Sequence, residues 1–219
     1  MVTRKLISGA LVFYVFGSQI LSAMVFDFGP LASLCRIEVH LSTGFVDGKV
    51  RGTFGRISGN LQFSPENPQV SKGKIVLASR SLRFGNTRVN QNTHAPDWLD
   101  STKHPEISFQ LDNLTDLSWH GKELRAQGQG ILTIKGVEKP VGIPLSIHYS
   151  KDQRHKYDGK HGDLLKIQGL LNIPRSQFGL ASGDFIGSVM EDIEIRVFIT
   201  GVSGHPRAML PSKLFGVKE

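Results

Sequence analysis

A single cysteine, Cys35, stands in the whole chain, so no intramolecular disulfide is available. An exported protein built this way must draw its stability from a sizeable core rather than from cross-links. Aromatics are few beyond phenylalanine, with 3 Tyr and 2 Trp in 219 residues. Long apolar runs are nearly absent, and only the first twenty-odd residues hold one, which excludes a polytopic helical membrane protein. Charge of one sign is nowhere concentrated. The 26 basic and 19 acidic residues are interspersed, so no stripe for nucleic acid can be read. Catalytic signatures are missing as well. There is no G-x-S-x-G elbow, no phosphate-cradling P-loop and no H-E-x-x-H, and one cysteine forbids C-x-x-C. No cofactor is implied.

The N-terminal segment reads as a unit of its own. Arg4 and Lys5 precede an apolar run from Leu6 to about Leu21, and Ser22-Ala23 offers small residues for cleavage. Residues 1–23 are therefore expected to be a cleavable secretory signal peptide, which places the mature protein in the periplasm or outside the cell. The leader holds two bases and no acids. Its removal leaves about 196 residues with a formal charge of about +5.

Most of what remains alternates with period two. Ile193, Ile195, Val197 and Ile199 share one face of a strand, against Glu194 and Arg196 on the other. Val137 to Tyr149 repeats the pattern, with Pro140 and Pro144 on the opposite face, which favours an edge or a bulge. Leu165 to Ile173, Ile107 to Leu111, Ile75 to Ser79, Leu124 to Ile134 and Cys35 to Leu41 supply further strands. Cys35 reads as a small apolar member of the last of these. A longer strand from Val46 to Phe63 is interrupted by Gly48, Gly52, Gly55 and Gly59, spacing that lets a strand bend as a closed barrel requires. Turn chemistry separates these segments at Ser64–Pro68 and Lys135-Gly136, and Lys151 to Gly162 reads as a mobile polar loop. Eight or nine short strands define an all-β sandwich or barrel. Residues 85–105 lack a period and are expected to hold a short helix or crossover. Residues 24–200 form the barrel domain and 201–219 a C-terminal extension.

The densest polar cluster runs from Asn90 to Asp100. A metal site of His94, Asp97, Asp100 and His104 would need a spacing these residues lack, and Pro96 and Pro105 interrupt it. The simpler reading is a capped loop in which Trp98 plugs the core. Arg175 either meets an anionic head group or binds loop carbonyls after a strand.

Four segments in order carry a family resemblance. They are Val50-Arg51-Gly52-Thr53-Phe54 with Ser58-Gly59; Pro96-Asp97-Trp98-Leu99-Asp100 with His104 to Phe109; Gly130 to Val137 with Lys139-Pro140-Val141; and Arg175 to Leu180. Together they resemble the YceI family of exported, lipocalin-like proteins associated with polyisoprenoid binding, over roughly Ser33 to Thr200. The chain departs from the family at Val89 to Asn92, where relatives often carry Arg-Asp-x-His, and at Ala32, where a His is common. The resemblance implies an antiparallel eight-stranded lipocalin-like barrel with an apolar lumen. It implies a binder or carrier of an amphipathic isoprenoid lipid, of quinone or polyprenyl phosphate type, which meets a membrane only transiently. Phe54, Phe84, Trp98, Phe109, Leu132 and Phe178 are then expected to line the lumen, with Asn92, His94 and Arg175 at its mouth. The alternatives are a side-chain-filled barrel acting in stress or protein interaction, and a lipid-modifying enzyme.

Overall fold

The computed structural model describes residues 23–43, 48–180 and 189–204. The expected signal peptide, apart from Ala23, and residues 205–219 of the expected extension lie outside the described residues.

Among the described residues the chain forms β1 (Met24–Asp27), β2 (Arg36–Thr43), β3 (Lys49–Phe54), β4 (Ile57–Phe63), β5 (Lys72–Ala78), β6 (Leu82–Phe84), α1 (Thr87–His94), β7 (Glu106–His120), β8 (Glu123–Ile134), β9 (Val137–Ser150), α2 (His155–Asp158), β10 (Leu164–Pro174) and β11 (Val189–Val202). All pairings are antiparallel. β1 and β2 are two halves of one stave, because both pair with β11. β3 and β4 form the next stave, and β5 and β6 the third. With β7 to β11 this makes an eight-stave barrel, which the pairing of Asp27 with Val202 closes.

The broken staves explain how the glycine-rich segment folds. β3 and β4 meet at Gly55-Arg56, level with the break between β5 and β6. Ser81 holds both breaks together. Its carbonyl accepts from Gly55 N–H at 3.1 Å, its hydroxyl accepts from Arg56 N–H at 3.1 Å, and that hydroxyl donates to the carbonyl of Ala78 at 2.7 Å. Two neighbouring staves therefore turn the same corner, which keeps their ladders in register.

Other boundaries differ from the sequence reading for physical reasons. β1 precedes the first expected strand, and Cys35 sits just before β2, where its thiol donates to the carbonyl of Thr200 at 3.5 Å. β11 runs on to Val202, two residues into the expected extension, because Gly201 leaves room for the ring of Phe28 against the strand. Pro140 and Pro144 lie in the half of β9 that pairs with β8 alone, since β10 joins β9 only from Leu145 onwards. The strand is thus an edge over its first half and central over its second. The expected mobile loop after β9 is instead tied down. It carries α2, where the Arg154 guanidinium bonds Asp158 at 2.9 Å and the carbonyl of Ser203 at 3.1 Å.

The lower end of the barrel is plugged. Phe26, Phe63 and Tyr149 meet with ring centroids 6.3–6.4 Å apart. The Tyr149 hydroxyl donates to the buried Asp163 carboxylate at 2.8 Å. Burial foremost, then that bond and the carboxylate's charge, raise the Tyr149 pKa and keep the phenol neutral. The upper end is crossed by α1, the loop through Trp98 and Leu99, and the turn from Arg175 to Leu180.

Candidate functional site: an apolar lumen

The inward positions of nearly every stave are aliphatic or aromatic, as alternation on a half-buried sheet demands. They enclose a cavity of about 140 Å³ above the lower plug. By the rule that a water needs roughly 10–15 Å³ of such space, this is room for about ten waters, yet the wall is almost wholly hydrocarbon. The polar residues that border it, Asn60, Lys74 and Ser108, occupy outward-facing strand positions, so alternation turns their side chains away from the lumen. A dry void of this volume costs on the order of 3 kcal/mol at roughly 24 cal/mol per Å³, a cost that an apolar guest removes.

Glycines set the shape of this space. Gly128 and Gly169 flank Leu145, whose methyl carbons stand 2.8 and 2.9 Å from the points where β-carbons on those glycines would be. Leu145 lies back into these hollows rather than projecting across the lumen.

Four of the expected lumen residues are on the cavity wall: Phe54, Trp98, Phe109 and Leu132. Phe84 and Phe178 are buried but not on it. The Phe84 ring covers Gly52, within 2.7 Å of where a β-carbon would stand, and Phe178 packs in the turn after β10. The sequence reading favoured aromatics and passed over the aliphatic residues that make most of the wall, such as Ile37, Val39, Ile143, Ile167, Ile195 and Val197. Their strand alternation was the available sign. Trp98 is 2% exposed, and its indole Nε1 has no hydrogen-bond partner among the described residues.

The three residues expected at the mouth are placed differently from one another. Asn92 is half-buried on α1, where its carbonyl accepts from Ala95 N–H at 3.2 Å. His94 ends the same helix with both ring nitrogens engaged. Nδ1 is 2.9 Å from the Ser101 hydroxyl and Nε2 is 3.0 Å from the Leu82 carbonyl. The bond to the Leu82 carbonyl needs the proton on Nε2, which also has Arg83 Nη1 at 3.1 Å, and the imidazole latches α1 to β6 and to the loop after Trp98. Burial, joined by the charges of Arg83 and Arg80, holds its pKa below the ordinary range, although the Leu82 carbonyl pulls the other way. Arg175 closes its own turn through Nη1 to the Leu180 carbonyl at 3.0 Å. Its Nε is buried without a hydrogen-bond partner among the described residues and lies 3.8 Å from a Glu191 carboxylate oxygen. Hydrogen bonds from the Ser176 hydroxyl and N–H, with Arg175 adding its charge, hold Glu191 below the usual carboxylate range. A head group at Arg175 would therefore meet an arginine that already has an anionic neighbour.

Among the described residues no group of three or more His, Cys, Asp or Glu side chains is placed to hold a metal ion. His94 and Asp100 serve the loop instead, with Asp100 at φ 43° accepting from the N–H groups of Lys103 and His104 through its carbonyl.

This closed antiparallel barrel around an apolar lumen is of the lipocalin-like kind. The profile of the YceI-like domain matches residues 33–200, and the chain belongs to that family. Protein YceI of Salmonella arizonae is 22% identical over 191 residues, covering 83% of this chain and 94% of that one. A UPF0312 protein of Pseudomonas aeruginosa is 23% identical over 151 residues, 69% of this chain and 73% of the relative. Among solved structures, Burkholderia cenocepacia BcnA superposes with a TM-score of 0.62 at 20% identity, covering 78% of this chain and 97% of BcnA. A polyisoprenoid binding domain from Saccharophagus degradans, implicated in plant cell wall breakdown, gives 0.60 at 11% identity, over 83% of this chain and 99% of that domain.

Proposed function

We propose that the protein binds an amphipathic isoprenoid lipid by its apolar chain within the lumen and carries it in the periplasm without chemical change. The observation that carries this reading is the hydrocarbon-walled cavity. Burying each CH2 of a guest contributes about 0.8 kcal/mol, so a prenyl chain binds there with no polar contact at all. The family, and the isoprenoid-binding domain of the same fold, support the choice of guest. The apolar run that follows Arg4 and Lys5 near the N-terminus supports export. Of the two head groups considered, the neutral quinone type is favoured over polyprenyl phosphate. The expected cation at the mouth, Arg175, stands beside Glu191, and His94 spends both nitrogens inside the protein. A charged phosphate would have to share the Arg175 charge with the Glu191 carboxylate.

The test is native mass spectrometry of protein purified gently from its own cell envelope, followed by organic extraction. A stoichiometric neutral isoprenoid is expected. A protein that emerges empty, and that takes up no isoprenoid of any length when delipidated, contradicts the reading.

A further inference from the structure

The ladder between β9 and β10 ends at the pair Leu145–Gly169, and the sequence supplies the reason. Thr200 of β11 turns its N–H and carbonyl towards the Cys35 thiol, away from β10. Lys166 lies opposite Thr200, so its own backbone groups turn towards His148 of β9. Alternation carries this along both strands, and their even-numbered residues are the ones whose backbone groups face each other. Continued in the same register, the next rungs would join Pro144 to Leu170, Gly142 to Asn172 and Pro140 to Pro174. Three of these six residues have no N–H to give. The ladder stops where the first proline falls, and the two staves run on unpaired beyond it.

The wall is thin beside this seam. Gly128 and Gly169 put no side chain on the inner face, and Gly142 puts none on the outer. Among the described residues Leu145 alone borders both the lumen and a second space, a groove of about 570 Å³ on the outside of the barrel. The groove lies astride the last rung, with Pro144 and Ser146 on one side of it and Gln168 and Leu170 on the other.

Its lining is apolar and polar by turns. Pro144, Leu170 and Phe198 supply apolar surface, and Leu170 is 46% exposed. Gln127 and Gln168 bring neutral amides, and Gln127 Nε2 stands 2.6 Å from where a β-carbon on Gly142 would be, so this side chain lies over the seam. The two bases of the groove already have anionic neighbours: Arg125 meets Glu123 at 3.1 Å, and Arg196 meets Glu194 at 2.6 Å. Its one acid, Asp116, accepts from the Thr115 hydroxyl at 3.3 Å. A neutral ring with hydrogen-bond acceptors suits such a surface better than a phosphate, which calls for uncompensated cations.

We infer that this groove takes the head group of the lumen's guest, a neutral ring bearing carbonyl acceptors, while the prenyl chain passes between Pro144 and Leu170 and past Leu145 into the lumen. The inference rests on the isoprenoid reading, since only a guest whose chain lies in the lumen needs its head just outside the wall. It gives the head a place that His94 and Arg175, bound to Leu82, Ser101 and Leu180, do not.

The test is uptake, by delipidated protein, of a prenylated benzoquinone and of the hydrocarbon with the same prenyl chain, measured both as affinity and as loading rate. Gln127→Met/Gln168→Met keeps the side-chain bulk and removes the amides. It should lose roughly tenfold in affinity for the quinone, the worth of one or two hydrogen bonds, and less than about twofold for the hydrocarbon. Retained hydrocarbon binding reports that the variant is folded. Pro144→Cys/Leu170→Cys, made together with Cys35→Ser and bridged by a short bifunctional maleimide, should load both compounds roughly tenfold more slowly than the same protein unbridged. Quinone and hydrocarbon affinities that respond alike to the glutamine changes, or a bridged protein that loads as fast as the unbridged one, overturn the proposal and leave the lumen reading standing. Wild type that takes up neither compound removes the lumen reading, and the role of the groove with it.

Discussion

The Cδ2 atom of Leu145 lies 2.9 Å from the point that a β-carbon on Gly169 would occupy. The space that the missing side chain leaves takes the leucine back against the barrel wall, clear of the lumen.

Two glycine substitutions should therefore differ. In Gly169→Ala the new methyl meets the end of a flexible side chain, and Leu145 can swing into the lumen. The expected cost is about 1 kcal/mol, together with weaker lipid binding. In Gly130→Ala the methyl would stand 2.1 Å from the carbonyl oxygen of Gln110, which belongs to the neighbouring backbone and cannot swing away. A loss of about 3 kcal/mol is expected there. Denaturant titration of the two variants checks the order, and equal costs would contradict it.

Filling the lumen should separate binding from stability. Val197 faces the cavity in β11. Val197→Phe should leave the melting temperature within a few degrees of wild type, because the ring enters space that is already empty. Affinity for an isoprenoid should fall at least tenfold. If the cavity were only a packing defect unrelated to ligand, binding would be unchanged.

Acid should loosen the latch at the upper end. The His94 pKa is depressed in the folded protein, so the unfolded chain takes up a proton that the folded chain refuses. His94 therefore makes no pH-dependent difference well above its unfolded value of about 6.5. Stability falls as the pH drops below that value, until the folded pKa is passed. Thermal melts between pH 7.5 and 5 should show a steeper fall for wild type than for His94→Gln. Parallel curves would remove His94 from this role.

Trp98 offers the opposite kind of test. Its ring fills core space while its indole N–H has no hydrogen-bond partner among the described residues. Trp98→Phe removes an unsatisfied donor and should cost less than about 1 kcal/mol, whereas Trp98→Ala should cost about 3–5 kcal/mol. A large loss in the phenylalanine variant would mean that the N–H has a partner in solution.

Strand alternation made the barrel legible because inward and outward environments differ sharply in polarity. The runs at Ile193–Ile199 and Ile107–Leu111 became strands of β11 and β7. β1 escaped notice because four residues are too few to show a period, and its place is set by pairing with β4 and β11, which are distant in sequence. Trp98 could be read as a buried plug from its apolar bulk within a polar loop. The roles of His94 and Arg175 could not, because their partners at Leu82, Ser101, Leu180 and Glu191 are chosen by the tertiary fold.

The most direct test of the central claim is a binding series with delipidated protein and neutral prenyl compounds of increasing chain length. Affinity should climb with each added unit and level off once the lumen is full, and Val197→Phe should bring the plateau to a shorter chain. Affinity that is absent, or that ignores chain length and the Val197→Phe substitution, would contradict a lumen built to hold an isoprenoid.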